Sequence, residues 1–430
     1  MLHSNLSVKN GNLYFADVNT VELCEKYGTP LMLLDEGHIR GQMALYKSII
    51  SKFFPKGSTI LYASKALSFK EIYRIAKSEG IGTDIVSTGE LYTAVSAGFP
   101  LERAFFHGNN KMDSDVLYAM ENGIGYFVVD TADELLAIDR LAKEKSIKQK
   151  ILLRLTPGID PHTHTAISTG KVDSKFGTAI ETGQAMQIVE KALSLKNVHL
   201  SGFHCHIGSQ IFEIAPFCDA ADIMIDFISQ TKAKLNFEPE YLNLGGGFGV
   251  RYVESDATID LEEALSNVSA HLNATSKNKG VNLPKILFEP GRSIVAAGGI
   301  TLYSVGSIKE ISGYKNYVSI DGGMTDNPRY ALYQSAYTVL TANKMDEPCN
   351  YKCTIAGRCC ESGDLIQEDV LIAKPTRGDK IAVLCTGAYN YAMASNYNRV
   401  PRPPIVMIND GSDRVVVKRE SFEHLTALDI

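Results

Sequence analysis

The chain has 430 residues, 45% of them hydrophobic and 21% charged, which is typical of a globular protein with more than one domain. Its 43 lysines and arginines face 49 aspartates and glutamates without any basic tract or acidic tail, so nucleic acid and membrane surfaces are poor candidate partners. No run of about 20 apolar residues predicts a membrane span, and MLHSNLSVKN lacks a signal pattern, so we expect a cytoplasmic protein.

The eight cysteines are scattered along the chain, which favours free thiols in a reducing compartment over a disulfide framework. Cys349, Cys353, Cys359 and Cys360 lie close together in the sequence. Their spacing is not that of the paired CxxC knuckles of zinc sites, so we predict no metal.

Up to about residue 295, short β-prone runs alternate with amphipathic helical patterns. Several helical patterns open on a capping box, as at Ser87–Glu90 and Thr131–Glu134. Eight such units predict an α/β fold with a (β/α)8 TIM-type barrel over residues 35–295. The predicted barrel strands are 58–64, 81–87, 103–108, 125–130, 151–157, 198–208, 241–247 and 285–292.

The remainder of the chain changes character. From residue 296 to residue 430 the runs are short, alternating and bounded by turns, which predicts a C-terminal mostly-β domain. We expect residues 1–34, with the run GNLYFADV, to contribute a strand to this domain.

Polar residues gather at the ends of the predicted barrel strands, where the active sites of such barrels form. A polar residue at every strand end indicates a lined pocket rather than isolated surface groups. In chain order these residues are Lys65, Asp84, His107 with Asn109, Asp130, Arg154, His204 with His206, the glycines of NLGGGFG, and Glu289 with Arg292.

Two neighbouring strand ends predict a phosphate site. Gly245, Gly246 and Gly247 end one strand, and the motif EPGR adds Gly291 at the next. Glycines let backbone amides approach an anion, and phosphate sites recur after the last two strands of this fold.

His204 and His206, at i and i+2 on one strand, leave a different chemistry open. Such a pair also holds the divalent ion of metal-dependent hydrolases, although these carry it on their first strand and here it lies on the sixth. A second pair, His162 and His164, follows TPGID in a predicted loop, where surface exposure is the simpler explanation.

A phosphate site, a lysine, an acid and a stackable imidazole on one rim are what pyridoxal phosphate needs. The lysine forms the Schiff base, and the acid keeps the pyridine nitrogen protonated. The motifs YASKA, GFHCHIGSQ, NLGGGFG, FEPGR, DGGMTDNPRYALY, CESGD and GAYNYAM lie in this order between residues 62 and 393. In these motifs the chain resembles the fold-type III pyridoxal-phosphate-dependent decarboxylases.

The resemblance implies pyridoxal 5'-phosphate as cofactor and assigns roles to residues. Lys65 would bind the cofactor covalently, His206 would stack on its ring, and Glu289 would pair with the pyridine nitrogen. Further cofactor contacts would come from Ser209, Gly245, Gly246, Gly247, Pro290, Gly291, Arg292 and Tyr389.

The resemblance also implies a substrate. Arg292, Arg329, Tyr333, Glu361 and Tyr389 would bind the distal end of an amino acid. Because arginine grips a carboxylate and glutamate suits an ammonium group, we expect decarboxylation of meso-2,6-diaminopimelate to L-lysine, the last step of lysine biosynthesis. Decarboxylation of ornithine or arginine is the alternative.

Cys360 of CESGD would protonate the carbanion that is left when carbon dioxide departs. In this family Cys360 and Glu361 reach into the partner subunit's site, so the resemblance implies a homodimer in which the β-rich domain completes the active site. Cys359, which precedes Cys360, is expected to be a buried small hydrophobe.

Overall fold

The computed structural model describes residues 2–159 and 174–430, so His162 and His164 lie outside the described residues. The chain forms two compact units. Unit 1 comprises Met1–Gly41, Val250–Ala257 and Arg292–Ile430, and unit 2 comprises Gln42–Gly249 and Thr258–Gly291. Residues 250–257 thus belong to unit 1, and the later boundary between the units lies at residue 291.

Unit 1 begins with a small antiparallel sheet. The N-terminal elements are β1 (Leu6–Lys9), β2 (Asn12–Phe15), β3 (Val18–Asn19), α1 (Thr20–Tyr27), β4 (Leu31–Asp35) and α2 (Glu36–Phe53). Strands β1, β2 and β3 pair only with one another among the described residues. The run GNLYFADV therefore lies in this small sheet.

Unit 2 contains a closed barrel of eight parallel strands, which confirms the predicted fold. Strands β5 to β9 and β11 to β13 pair in a ring that closes between β13 and β5, while β10 pairs in parallel with the last two residues of β9. The elements are β5 (Thr59–Ala63), α3 (Lys70–Ser78), β6 (Gly82–Ile85), α4 (Thr88–Ser96), β7 (Ala104–Phe106), α5 (Asp113–Glu121), β8 (Tyr126–Val129), α6 (Ala132–Glu144), β9 (Gln149–Thr156), β10 (Thr178–Ala179), α7 (Gln184–Ser194), β11 (Val198–His204), α8 (Ala215–Leu235), β12 (Tyr241–Asn243), α9 (Leu261–Lys279) and β13 (Lys285–Phe288).

The barrel strands are short and apolar because both faces of a parallel sheet are covered. All four residues of β8, YFVV, are buried, and the side chains of Leu61, Phe105, Leu152 and Leu287 pack in one core cluster. Several strands end before the predicted limit: β12 stops at Asn243, so the glycines that follow form the turn that leaves the strand.

The predicted capping boxes are present with one difference. The side chains of Ser87 and Thr131 each accept a hydrogen bond from the amide of the glutamate three residues later, at 3.2 Å. The carboxylates of Glu90 and Glu134, however, accept from the amide of the residue before the cap, at 2.8 and 2.9 Å. Each glutamate therefore ties the strand end to the first turn of the next helix.

The C-terminal part of unit 1 is mostly β, as predicted. Strand β4 pairs with β14 and β20, so the N-terminal contribution to the large sheet is β4 rather than the run GNLYFADV. The side chains of Phe15, Leu33, Leu302 and Val406 pack in one cluster between the two sheets of this unit. The elements are α10 (Arg292–Val295), β14 (Gly299–Ile311), β15 (Lys315–Ile320), α11 (Arg329–Tyr333), β16 (Val339–Thr341), β17 (Tyr351–Ala356), β18 (Leu365–Ile372), β19 (Lys380–Val383), β20 (Ile405–Asn409), β21 (Ser412–Val417) and α12 (Phe422–Thr426).

Within the described part of the chain, no helix combines the length and the apolar character needed to cross a membrane. All eight cysteines are free thiols.

Candidate active site at the barrel strand ends

A cavity of about 310 Å³ lies in unit 2 where the barrel strands end. It brings together Lys65, His206 and Glu289, the three residues that the sequence assigns to the cofactor ring. The other lining residues are Asp84, Val86, His107, Gly108, Asn109, Arg154, Phe176 and His204. Asp84, His107, Arg154 and His204 were predicted at the rim without a catalytic role.

Lys65 lies in a single 3-10 turn, Ser64–Ala66, that follows β5. The backbone amide of Ser64 donates to Asp84 Oδ1 at 2.9 Å, and its hydroxyl donates to Glu90 Oε2 at 2.8 Å. Two carboxyl groups from the next βα unit therefore fix the turn that carries the lysine.

Pro290 and Gly291 support the same turn from the last strand. The carbonyl oxygen of Pro290 accepts a hydrogen bond from the amide of Ala63 at 3.1 Å. A Cβ on Gly291 would lie 2.8 Å from the Cβ of Ala63 and 3.0 Å from that of Ala66. The glycine is required because the chain after β13 packs directly on the Lys65 turn.

Glu289 follows β13 and contacts three side chains. Its Oε1 lies 2.9 Å from His107 Nε2 and accepts a hydrogen bond from Asn243 Nδ2 at 2.7 Å, and its Oε2 lies 3.2 Å from His204 Nε2. Burial by itself raises the pKa of Glu289, but its interactions with His107 and His204 outweigh burial and hold the pKa well below its ordinary value. The carboxyl group is therefore ionised.

The pKa values of the groups around Glu289 are shifted as well. Burial lowers the pKa of His204 to about 4 and also lowers that of His107, so both imidazoles are neutral at neutral pH. Burial, and then the charge of Glu289, raise the pKa of Asp84 well above its ordinary value. Two carboxyl groups on one cavity with opposite shifts are a feature of active sites.

His206 is held as a neutral imidazole by the glycine turn. The amide of Gly246 donates to His206 Nδ1 at 3.3 Å, so this nitrogen carries no proton. Burial, followed by the charge of Lys65, lowers the pKa of His206 well below its ordinary value. A neutral aromatic ring on the cavity wall is suited to stack on a flat cofactor.

The glycines after β12 form a cradle that no other residue fits. A Cβ on Gly245 would lie 2.7 Å from the carbonyl oxygen of Cys205, and one on Gly246 would lie 2.2 Å from that of Glu289. Gly245 and Gly247 also have φ values of +69° and +121°, which favour glycine. These glycines let the turn pack directly on the backbone that follows β11 and β13, and Ser209 lies half-buried in the loop after β11.

In unit 1, the predicted substrate arginines meet around one tyrosine. Arg292 Nη1 donates to the hydroxyl of Tyr252 at 2.8 Å, and its guanidinium carbon lies 4.7 Å from the ring centroid of Tyr389. The guanidinium carbon of Arg329 lies 4.7 Å from the ring of Tyr252, and its Nη1 donates to Tyr337 at 3.0 Å. Sequence reasoning missed Tyr252 and Tyr337, because the segments GVRYVES and QSAYTV that contain them carry no local signal of this contact.

The remaining predicted residues lie at the surface of unit 1. Cys360 and Glu361 are exposed in the turn between β17 and β18, where the Cys360 amide donates to Asn398 Oδ1 at 2.8 Å. Cys359 is half-buried, and burial together with the charge of Asp364 raises its pKa to about 11. Tyr333 is half-buried at the end of α11.

The described residues contain one cluster with the spacing of metal ligands, formed by His107, His204 and Glu289, whose ligand atoms lie within 4.8 Å of one another. His206, the second histidine of the pair that left a metal site open as an alternative, is not part of it. The lysine, the glycine cradle and the neutral imidazole on the same cavity fit pyridoxal phosphate instead.

A barrel with this set of strand-end groups defines a pyridoxal-phosphate enzyme, and the comparisons with known proteins agree. Residues 36–296 match the family model described as "Pyridoxal-dependent decarboxylase, pyridoxal binding domain". The protein is therefore a pyridoxal-phosphate-dependent amino-acid decarboxylase, which sets aside the metal-dependent hydrolase.

Full-length relatives narrow the family. The chain is 44% identical over 424 residues to diaminopimelate decarboxylase of Bacillus subtilis (strain 168), covering 98% of this chain and 96% of the relative. It is 42% identical over 418 residues to that of Staphylococcus aureus (strain COL), covering 97% of each. A crystal structure of diaminopimelate decarboxylase from M. jannaschii in co-complex with L-lysine matches with a TM-score of 0.93 and 34% identity, covering 100% of this chain and 99% of that one. The chain belongs to the diaminopimelate decarboxylase family.

Proposed function

We propose that this protein decarboxylates meso-2,6-diaminopimelate to L-lysine and carbon dioxide with pyridoxal 5'-phosphate as cofactor. The observation that carries the proposal is the convergence of Lys65, His206 and Glu289 on one cavity in a chain of this family. The relative solved with L-lysine, the expected product, supports the choice of substrate.

When bound, pyridoxal phosphate supplies an aldehyde that reacts with amines and a ring that withdraws the electrons of the bond to the departing carboxylate. The Lys65 amine would hold the cofactor covalently. The ionised Glu289 keeps a proton on the ring nitrogen, and the neutral His206 packs on the ring face.

The phosphate of the cofactor would be held by the turn of Gly245, Gly246 and Gly247, by Ser209 and by Tyr389. The amides of Gly245 and Gly246 donate to Asn243 and His206, so these two glycines shape the turn rather than supply its donors. Pro290 and Gly291 act on the cofactor indirectly, because they hold the turn of Lys65.

The distal end of the substrate is bound by five residues, namely Arg292, Arg329, Tyr333, Tyr389 and Glu361. The faces of Tyr389 and Tyr252 hold the two guanidinium groups in place, so that little side-chain entropy is lost when a carboxylate binds. The exposed Glu361 carboxylate pairs with the distal ammonium group.

Cys360 delivers a proton to the α-carbon of the substrate after carbon dioxide leaves. Burial together with the charge of Asp364 raises the pKa of Cys359, which makes this thiol a weaker acid than an ordinary cysteine. The exposure of Cys360 and Glu361 on a turn supports a homodimer in which these residues serve the partner's site. The eight free cysteines support the cytoplasm as the location.

Three amino acids test the substrate. The purified holoenzyme is incubated separately with meso-2,6-diaminopimelate, ornithine and arginine, and released carbon dioxide and lysine are measured. We expect turnover of the first alone, because ornithine and arginine have a distal cation but no distal carboxylate to pair with Arg329. Equal turnover of ornithine overturns the assignment of Arg329 and Glu361.

Lysine variants test the cofactor site. Lys65→Ala should abolish turnover and the visible absorption of the covalently bound cofactor. Lys70→Ala removes an exposed lysine from α3 and should leave both unchanged. A Lys65→Ala protein that keeps its absorption and activity contradicts the proposed role of this residue.

A further inference from the structure

We propose that Asn243 is a positioning residue that locks the carboxylate of Glu289 to the glycine turn of residues 245–247. The inference rests on the proposed pairing of Glu289 with the cofactor ring nitrogen. Asn243 touches neither the ring nor the substrate in this account; it acts through Glu289.

The side chain of Asn243 uses its two ends on two different partners. Its Nδ2 donates to Glu289 Oε1 at 2.7 Å, and its Oδ1 accepts from the amide of Gly245 at 2.9 Å. The residue is the last of β12 and is fully buried. Only an amide side chain has a donor and an acceptor at this spacing, so neither aspartate nor leucine can make both bonds.

The two linked groups also meet through the backbone. The amide of Glu289 donates to the carbonyl oxygen of Gly245 at 2.8 Å, and the position of a Cβ on Gly246 would lie against the carbonyl oxygen of Glu289. Glu289 and the glycine turn are thus joined by a backbone hydrogen bond and, through the side chain of Asn243, by side-chain hydrogen bonds. Oε2 of the same carboxylate is held separately by His204.

Loss of the Asn243 donor would leave Oε1 of Glu289 in contact with His107 alone and Oε2 in contact with His204. The carboxylate would then be held only by the two imidazoles, with no side-chain bond to the glycine turn, and would present a less fixed oxygen to the ring nitrogen. We expect slower turnover rather than loss of substrate binding, because the proposed substrate residues do not include Asn243.

The test separates the two bonds with Asn243→Asp. Aspartate keeps an acceptor for the Gly245 amide but replaces the donor to Glu289 by a like charge. With cofactor labelled with ¹⁵N at the ring nitrogen, we expect the resonance of the wild-type holoenzyme at the protonated position and that of the variant moved toward the unprotonated one. We expect kcat to fall about tenfold to a hundredfold with little change in KM, in line with the loss of one hydrogen bond to a charged group.

A second variant distinguishes a lost link from general damage. In Asn243→Asp/Glu289→Gln the glutamine amide can donate to the new carboxylate, which restores the bond with its direction reversed. We expect the melting temperature of the double variant without cofactor to exceed that of Asn243→Asp, while the ring-nitrogen resonance stays at the unprotonated position. Recovery of the fold in the double variant supports the link even where Asn243→Asp alone does not fold.

Asn273→Asp is the matched control, since it makes the same chemical change at an exposed position of α9. A wild-type resonance and kcat in Asn243→Asp overturn the inference, and so does a double variant that is no more stable than the single one. If instead the wild-type protein binds no cofactor and releases no carbon dioxide, the proposed function itself fails.

Discussion

Gly246→Ala tests whether the close approach of the glycine turn to Glu289 is a structural requirement. The φ angle of Gly246 is not in the left-handed region, so the backbone conformation alone would tolerate alanine. The added Cβ, however, would lie 2.2 Å from the carbonyl oxygen and 2.9 Å from the carbonyl carbon of Glu289. Because the obstacle is backbone, no side-chain rotation relieves it.

The expected effect follows from that distance. Carbon and oxygen atoms of this kind normally stay about 3.3 Å apart, so the turn and the last strand must separate by about 1 Å. The amide of Glu289 donates to the carbonyl oxygen of Gly245, so the displacement also strains a hydrogen bond. Overpacking of this kind costs about 1–3 kcal/mol, and we expect the upper end. For a chain of 430 residues that unfolds in one step, a loss of about 3 kcal/mol corresponds to a decrease in melting temperature of roughly 3 °C.

Thermal unfolding of the cofactor-free protein measures the effect, followed by titration with pyridoxal phosphate, whose affinity should also fall. Gly41→Ala is the control: Gly41 lies inside α2 with no atom within 4 Å of its Cβ position. Alanine there should stabilise the protein by about 0.5–1 kcal/mol. If Gly246→Ala melts at the wild-type temperature, the contact between the turn and Glu289 is not the reason for the glycine.

Three further predictions concern charged and reactive groups. Lys111→Met should lower the free energy of unfolding by about 3–5 kcal/mol, because it leaves the buried carboxylate of Glu134 unpaired. The two side chains pair at 2.7 Å with 2% and 7% exposure. Lys111→Met/Glu134→Gln should recover much of this loss, as measured by denaturant titration. Burial lowers the pKa of His204 to about 4, so below pH 6.5 the unfolded chain binds a proton that the folded state does not. As the pH falls from about 6.5 to about 4, the free energy of unfolding of the wild type should decrease by about 3 kcal/mol more than that of His204→Gln. Parallel pH profiles of the two proteins would contradict this. Cys360→Ser should reduce kcat about a hundredfold, and Cys359→Ser should reduce it about threefold or less. If steady-state kinetics give the reverse order, Cys359 and not Cys360 is the proton donor.

The hydrophobic pattern was sufficient to predict the barrel, because strands buried on both faces read as short apolar runs such as YFVV between helical patterns. The ends of the elements were predicted less well. The sequence run YLNLGGG continues the strand pattern, whereas β12 stops at Asn243, since the following glycine has a positive φ and its amide bonds back to the Asn243 side chain.

The strand ends of the candidate site could also be predicted, but their mutual contacts could not. Lys65, His206 and Glu289 were recognised as one site because parallel strands end on the same side of a barrel. That His107 and Asn243 both contact Glu289 depends on distances between strands that lie far apart in the sequence. The same limit applies to Tyr252, whose contact with the arginines is decided by the tertiary structure.

The ring of barrel strands closes at a seam with few pairs, in which Leu287 and Phe288 of β13 lie opposite Thr59 and Ile60 of β5. These strands are the first and the last of the barrel, so the seam forms only after the whole intervening chain has been synthesised. Closing the seam therefore carries a large loss of chain entropy. Lys65 follows one of these strands and Glu289 the other. A cofactor held by Lys65 and Glu289 would therefore bridge the seam. It could bind only once the barrel has closed, and its binding would stabilise the closed barrel by mass action.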